Sequence, residues 1–412
     1  MCKNDWRIDM LRNVIIVNDS DFVSGGEDKV AIQTANELVQ AYRELNIYFF
    51  SCNGTGKSTC LDKNIKQYCT QQGSALLSRN KLVGAINGIC NFKFIKEFKK
   101  FLSKFNNNET IVHVHSWSKA VTSEVFNVCE KKKIKCILTL HDYFIGCPNG
   151  GFFNYQKNEI CKFNPMSLKC ITCNCDSRNY LFKVYRIIRQ CRFNKNIKKI
   201  KYAVSISQFS ERILVNYLNK NCRITRIYNP IDFDLIPKKS KPEKSNFFLY
   251  VGRVSKEKGV EIYCDAVMKA DVNGIVIGDG VCKKELEKKY NNIVFKGWKN
   301  AKDVKEIMRN ARCLIIPSKW YEGAPLTPLE AMQYGIPCIS SANNATVDYL
   351  ENGVGMIYTN ENELISLIKK CCDNEVIKYY SEKSYNYIEI HWKKRSYINE
   401  LVNLYCDILD EK

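Results

Sequence analysis

No stretch of this 412-residue chain approaches the roughly eighteen consecutive apolar residues of a membrane-spanning helix. The opening residues, "MCKNDWRIDMLRN", also lack the apolar centre of a secretory signal. An integral membrane protein is excluded on this reading, and a cytoplasmic chain is expected. Acid is scarce in the first half: residues 1–206 carry 32 Lys and Arg against 16 Asp and Glu, whereas residues 207–412 carry 31 against 27. The first half is therefore expected to meet an anion, be it nucleic acid, a membrane surface or a phosphorylated acceptor.

A phosphate-cradling loop is almost present and fails on what is missing. "SCNGTGKST" (51–59) supplies Gly56, Lys57 and Ser58, but Ser51 stands where the leading glycine belongs, and no long apolar helix pattern follows Thr59. Cysteine, by contrast, is abundant at 21 residues. In a chain this large and without a signal most of them read as reduced, buried, small apolar side chains. Cys147, Cys161, Cys170, Cys173 and Cys175 stand apart as a compact group. Only one Cys-x-x-Cys pair occurs among them; four of these thiolates are a candidate structural zinc site, and ordinary thiols are the alternative.

Short apolar runs alternate with segments of helical spacing. In the first half they are "NVIIVN" (13–18), "NIYFFS" (46–51), "TIVHVH" (110–115), "KCILTL" (135–140), "YAVSIS" (202–207) and "RITRIY" (223–228). After the proline- and lysine-rich "IPKKSKPEKSN" (236–246) the alternation restarts with "FFLYVG" (247–252), "GIVIGDG" (274–280), "NIVFKGW" (292–298), "CLIIPS" (313–318), "PCIS" (337–340) and "GMIY" (355–358). Near-continuous apolar strands alternating with helices predict parallel sheets covered on both faces. The expected architecture is α/β, with two facing Rossmann-like, doubly wound domains. The first covers 1–235 and holds a cysteine-rich insertion at about 145–195; a linker covers 236–246, and the second domain covers 247–385. A final helix in 386–412 is expected to pack back on the first domain. Sheets of this kind bind ligands at the carboxyl ends of their strands, so the site is expected in a cleft between the domains.

The chemistry concentrates in "IIPSKWYEGAPLTPLEAMQYGIPCIS" (315–340). A strand ends at Pro317, a Gly/Pro-rich loop follows, and a helix opens near Thr327 with Pro328 in its first turn. The backbone of Ala324, Pro325, Leu326 and Thr327 then forms a helix-start anion site, flanked by Glu322 and Glu330. One carboxylate suits sugar hydroxyls and the other a ribose, with a diphosphate between them. "YVGRVSKEKGVE" (250–261) places Arg253 and Lys258 on the same strand-end edge. Two cations there neutralise a departing diphosphate without a metal, so no catalytic cofactor is expected.

Taken in order, Gly252, Arg253, Lys258 and Gly259, then Gly278 to Gly280, then Glu322 and Glu330 followed by Ala331-Met332 make the second half resemble the donor domain of retaining GT-B glycosyltransferases of family 4. The resemblance implies Glu322 on the donor sugar, Glu330 on the ribose, and the base beside Gly297 and Trp298. It also implies front-face attack with retention of configuration. In the first half, "SGGEDKVA" (24–31) is similar to the family's Gly-Gly loop through Gly25 and Gly26, although Glu27 comes early and Asp28 holds the family's carboxylate position. "LHDYF" (140–144) supplies His141, similar to the histidine beside the reacting sugar, and "IYNPID" (227–232) resembles the turn that closes the first domain. Asp232-Phe233-Asp234 imitates the metal-binding Asp-x-Asp of a different architecture and reads as a turn.

Residues 141–192 look like a subgroup that builds bacterial surface polysaccharides such as O-antigen and capsule, which implies a UDP- or GDP-linked sugar and a lipid-linked acceptor. Between Arg178 and Lys201 there is no acid, and Lys183, Arg186, Arg189, Arg192, Lys195 and Lys198 recur every third residue. That spacing reads as a broad basic swath for anionic phospholipid or a lipid diphosphate, with a solvated face as the alternative. Peripheral contact with the inner face of the cell membrane is expected. "FKFIKEFKKFLSKF" (92–105) is amphipathic and reads as core packing ahead of membrane insertion. Two rival functions are a basic, cysteine-clustered nucleic-acid binder, which explains the charge but not the Glu322, Glu330, Arg253 and Lys258 constellation, and a sugar-nucleotide epimerase on the same fold. No nucleic-acid partner is expected.

Overall fold

The computed structural model describes residues 10–72, 81–231, 238–392 and 395–411. They form two compact units. The first is built on a sheet of seven parallel strands: β1 (Asn13–Ser20), β2 (Asn46–Asn53), β3 (Lys66–Cys69), β4 (Thr110–Val114), β5 (Lys135–Leu140), β8 (Tyr202–Ser205) and β9 (Arg223–Arg226). Their order is β3-β2-β1-β4-β5-β8-β9, which reverses direction on either side of β1. Seven of the eight residues of β1 are buried, as a central strand covered on both faces requires. All six apolar runs of the first half became strands. The strand that the apolar pattern did not reveal, β3, is a polar edge strand of sequence "KQYC".

Helix α1 (Gly26–Ala41) packs its apolar face on this sheet, burying Val30, Ala31, Ala35 and Leu38. Helices α2 (Lys81–Ile89) and α3 (Phe92–Leu102) follow β3. Asn91 caps α3 through its side chain, and Phe94, Phe98 and Phe101 pack with Phe50 in one aromatic cluster. The amphipathic segment is thus core, as its pattern suggested. The last helix, α8 (Tyr397–Asp410), also belongs to this unit: Tyr397 bonds Thr34 at 2.8 Å, and Leu401, Leu404, Tyr405 and Ile408 are buried in the same core. The insertion adds a short hairpin, β6 (Phe153–Asn154) and β7 (Glu159–Ile160), and helices α4 (Leu168–Thr172) and α5 (Tyr180–Ile197).

The second unit carries six parallel strands: β10 (Phe247–Val251), β11 (Asn273–Ile277), β12 (Ile293–Phe295), β13 (Cys313–Ile316), β14 (Cys338–Ser341) and β15 (Met356–Tyr358), in the order β12-β11-β10-β13-β14-β15. The 152–162 hairpin segment groups with this unit, and the other part of the insertion with the first. Helix α7 (Asn374–His391), capped by Asp373, runs unbroken through residues 385 and 386 with Ile377, Ser381, Ser384 and Ile388 buried. The two units accordingly divide after Arg395, ten residues beyond the boundary expected at residue 385. The Asp232-Phe233-Asp234 stretch and the start of the expected linker lie outside the described residues.

The near-miss phosphate loop has an explanation in the first unit. The Asp21 carboxylate accepts from Gly56 N at 2.7 Å, and Gln67 Oε1 accepts from Ser58 N at 2.7 Å, so acceptors within the chain already hold these backbone donors. The chain then enters β3 without forming the helix that a phosphate loop needs.

Close backbone approach governs the carboxyl edge of the second sheet. A Cβ on Gly278, whose φ is +137°, would stand 1.8 Å from the carbonyl oxygen of Gly252; one on Gly259, with φ +68°, would stand 1.9 Å from that of Pro317. Only glycine satisfies both the backbone angle and the space there. Gly278→Ala is expected to destabilise the protein by about 3 kcal/mol, because a backbone carbonyl cannot swing aside as a side chain can. Denaturant unfolding of the purified variant checks this, and stability equal to wild type contradicts the packing described.

Candidate active site

Three strand-end loops build the second unit's site. After β10 the chain turns through Gly252 and Arg253, makes a single 3-10 turn at Lys256–Lys258, and enters helix α6 (Val260–Lys269) at Gly259. After β13 it runs through Ser318 and Glu322 to a short helix at Thr327–Met332. The Glu322 carboxylate is clamped: Lys258 Nζ lies 2.8 Å from Oε2, and the Ser318 hydroxyl donates to Oε1. Its backbone is held as well, since Glu322 pairs with Asn344 and its carbonyl accepts from Ala345 N at 2.9 Å. Burial alone would raise this carboxyl, but the Lys258 ammonium, together with hydrogen bonds to Lys258 and Ser318, outweighs it and holds the group below its ordinary range. Lys258 also stands over the ring of Trp320, with Nζ 5.4 Å from the centroid.

Arg253 is different. It is exposed, its carbonyl accepts from Tyr250 Oη at 2.8 Å, and its guanidinium has no ion-pair partner among the described residues. Of the two expected phosphate cations, one is therefore committed to Glu322 and the other is open to a ligand. The Gly278–Gly280 turn touches the same loop: Gly252 N donates to Ile277 O at 3.0 Å and Val254 N to Asp279 O at 2.9 Å. Glu330 lies in the first turn of the Thr327–Met332 helix and is half-buried. Ala324, Pro325 and Leu326 lead into that helix, whose first-turn N–H groups have no acceptor within the helix. Trp298 is 73% exposed at the end of the β12 loop, which rules out a core role. Phe152, from the insertion's hairpin segment, meets Tyr321 at 6.4 Å between ring centroids, next to Glu322 in sequence.

In the first unit Gly25 caps α1 and Gly26 opens it, and a Cβ on either would meet nothing within 4 Å. The ambiguity between the two acids resolves. Asp28 does the local structural work, accepting from Asn18 Nδ2 at 2.8 Å and from the Ser24 hydroxyl at 2.6 Å, whereas Glu27 pairs with Lys119. His141 follows β5 and is half-buried, with Nε2 3.0 Å from Nδ1 of His115. Burial, with Glu27 nearby, pushes its neighbour Asp142 up to about 7.

Two expectations need correction. The basic swath on α5 is only partly a surface: Lys183 and Arg189 are buried, Arg186 pairs with Asp176 at 2.6 Å, and Arg192 pairs with Glu124 at 2.7 Å. A three-residue spacing drifts about 60° per step around a helix, which carries some of these side chains into the core. Only Lys195 and Lys198 of the six are exposed without such an ion pair among the described residues, and the exposed face of α5 carries Leu181, Val184 and Ile188 instead. The second correction concerns zinc. Among the described residues no group of three or more His, Cys, Asp or Glu is placed to hold a metal ion, so Cys147, Cys161, Cys170, Cys173 and Cys175 do not form the expected cage. The physical reason is a cation already in place: Lys183 Nζ lies 3.5 Å from Cys170 Sγ and 3.2 Å from Cys175 Sγ. Cys147 Sγ meets Asn149 Oδ1 at 3.0 Å, Cys173 ends α4, and Cys161 groups with the other unit.

A pair of parallel α/β units, one bearing a clamped glutamate, an open arginine and glycine-lined strand ends, defines a GT-B fold. HepE of Anabaena, solved in complex with UDP, superposes with a TM-score of 0.68 over 96% of this chain and 100% of that one, at 14% identity. Residues 232–389 match the family of glycosyl transferases group 1, and that stretch is a domain of this family. The chain is 26% identical over 188 residues to UDP-Gal:alpha-D-GlcNAc-diphosphoundecaprenol alpha-1,3-galactosyltransferase of Escherichia coli, covering 41% of this chain and 48% of the relative. It is 33% identical over 155 residues to lipopolysaccharide 1,6-galactosyltransferase of Salmonella typhimurium, covering 33% and 42%. The chain thus spans less than half the length of these two curated relatives.

The clamp makes a pH prediction. A carboxyl lowered on folding stabilises fully above its unfolded value, ordinarily 4.5, and loses that contribution as pH falls through its lower folded value. Between about pH 7 and about pH 3, wild type is expected to lose more stability than Glu322→Gln, measured by urea unfolding. Parallel loss in both proteins contradicts the clamp.

Proposed function

We propose that this chain is a retaining glycosyltransferase that moves a hexose from a UDP- or GDP-linked donor to a growing, lipid-linked bacterial surface polysaccharide. The observation that carries this reading is the pairing of a clamped Glu322 with an Arg253 that has no ion-pair partner among the described residues, on one sheet edge. As the glycosidic bond breaks, negative charge grows on the departing diphosphate and positive charge on the sugar. Arg253 meets the former, and Lys258 is close enough to share its ammonium between Glu322 and a phosphate. The half-buried, ionised Glu322 faces the donor sugar as an acceptor of hydroxyl hydrogen bonds and favours the oxocarbenium-like state. Because it is already aimed, no reorganisation falls on the chemical step. Glu330 takes the ribose, Trp298 offers its exposed ring to the base, and His141 approaches the sugar. The names of the galactosyltransferase relatives support a lipid-linked acceptor.

The acceptor's lipid sets the location. No helix among the described residues is long and apolar enough to cross a membrane. The exposed Leu181, Val184 and Ile188 of α5, with Lys195 further along the same helix and Lys198 just past its end, form a face of the kind that rests on an anionic bilayer.

Arg253→Ala is expected to lower kcat by about a hundredfold while the fold persists. Nucleotide release from a panel of UDP- and GDP-sugars with a lipid-linked acceptor measures this, and unchanged turnover rejects the site. Proton NMR of the product is expected to show the donor's anomeric configuration kept. For the membrane, binding to phosphatidylglycerol vesicles should fall with salt yet keep a salt-resistant part that Leu181→Ser with Ile188→Ser removes. Equal binding by that double variant at high salt removes the apolar contribution.

A further inference from the structure

We infer that His115 is a positioning residue that fixes the tautomer of His141, so that His141 meets the reacting sugar as a hydrogen-bond donor through Nδ1. This rests on the glycosyltransferase reading above. His113 and His115 lie two residues apart at the end of β4, so alternation puts both rings on one face of the sheet. His115 Nδ1 stands 3.0 Å from His141 Nε2, with the two rings 25° from parallel. One of these nitrogens must carry the proton that they share.

The other nitrogen of His115 decides which. Its Nε2 is buried and has no hydrogen-bond partner among the described residues. A proton there would be an orphaned donor, whereas a bare ring nitrogen is an unfilled acceptor, the milder defect. The proton of His115 therefore sits on Nδ1 and is donated to His141 Nε2, which leaves the proton of His141 on Nδ1. That nitrogen has no partner among the described residues and is open to a sugar oxygen. His113 does not compete for the shared proton: its two nitrogens meet Tyr405 Oη and Thr139 Oγ1, both at 2.6 Å. Burial pushes His113 and His141 down to about 3 and His115 down as well, so all three rings stay neutral around neutral pH. The network sets a direction for one hydrogen bond and does not shuttle protons. His141 is accordingly not a general base, and imidazole's usual preference in water, the Nε2–H form, is reversed here by the fold.

The chain has only four histidines, so long-range proton–nitrogen NMR of protein carrying isotope-labelled histidine can resolve each ring. The full chain without substrate is expected to show His141 protonated at Nδ1. In His115→Leu the proton should redistribute toward Nε2, and kcat should fall about tenfold with KM for the nucleotide sugar unchanged. In His115→Asn, whose amide can donate from the place of Nδ1, both the tautomer and kcat should be kept. Wild-type His141 protonated at Nε2, or an unaltered tautomer in a folded His115→Leu protein, overturns the inference. If His115→Leu does not fold, the wild-type and His115→Asn spectra decide. Because the tautomer is read without turnover, an expected spectrum in a protein with no transferase activity would count against the enzyme reading and not against the His115–His141 bond.

Discussion

The contact on which the candidate site depends is backbone against backbone: the Gly259 Cα against the Pro317 carbonyl, and Gly278 against that of Gly252. These approaches draw the loops after β10, β11 and β13 to distances that no side chain between them would allow. Lys258 directly precedes Gly259, and Ser318 directly follows Pro317. The one close approach therefore brings Lys258 beside the loop that holds Glu322. An ion pair at 2.8 Å between residues 64 positions apart in sequence is a consequence of missing Cβ atoms.

That pair is poised between two demands. Fully buried, it would cost more in desolvation than its attraction returns. Here the side chains keep 20% and 11% of their exposure, and Ser318 supplies a further hydrogen bond. Glu322 thus stays charged at small cost, and the aim of a carboxylate is settled before any ligand arrives. Arg253, without a comparable partner among the described residues, is left to respond to what binds.

Strand positions were legible because buried parallel strands are written as apolar runs, and all twelve appear. The edge strand "KQYC" had no such run, since only one side of it meets the core. The site glycines and Glu322 were legible from their spacing, but Ser318 and Asn344 were not: a serine and an asparagine acquire meaning only when a loop folds over them. The lysines and arginines of α5 misled because charge implies solvent only on average. Lys183 is buried among thiols and Arg189 over the rings of Phe144 and Phe193, while the side chains on the outer face are aliphatic. The cysteines misled for a related reason, since spacing does not reveal that a lysine from the next helix stands between two of them. His115 had a signal, the alternation in "HVH", yet its role needed the position of His141, 26 residues further along.

Helix α8 follows the second unit in the chain but completes the first, where Tyr405 holds His113 and Tyr397 holds Thr34. During synthesis the first unit's sheet therefore emerges long before the segment that closes its core, and the whole second unit is made in between. Its early, unclosed state exposes the apolar seat of Leu401, Tyr405 and Ile408 to any other chain with a similar helix. The order of translation thus makes the second unit the first that can finish folding, and leaves the first unit open until α8 has been made.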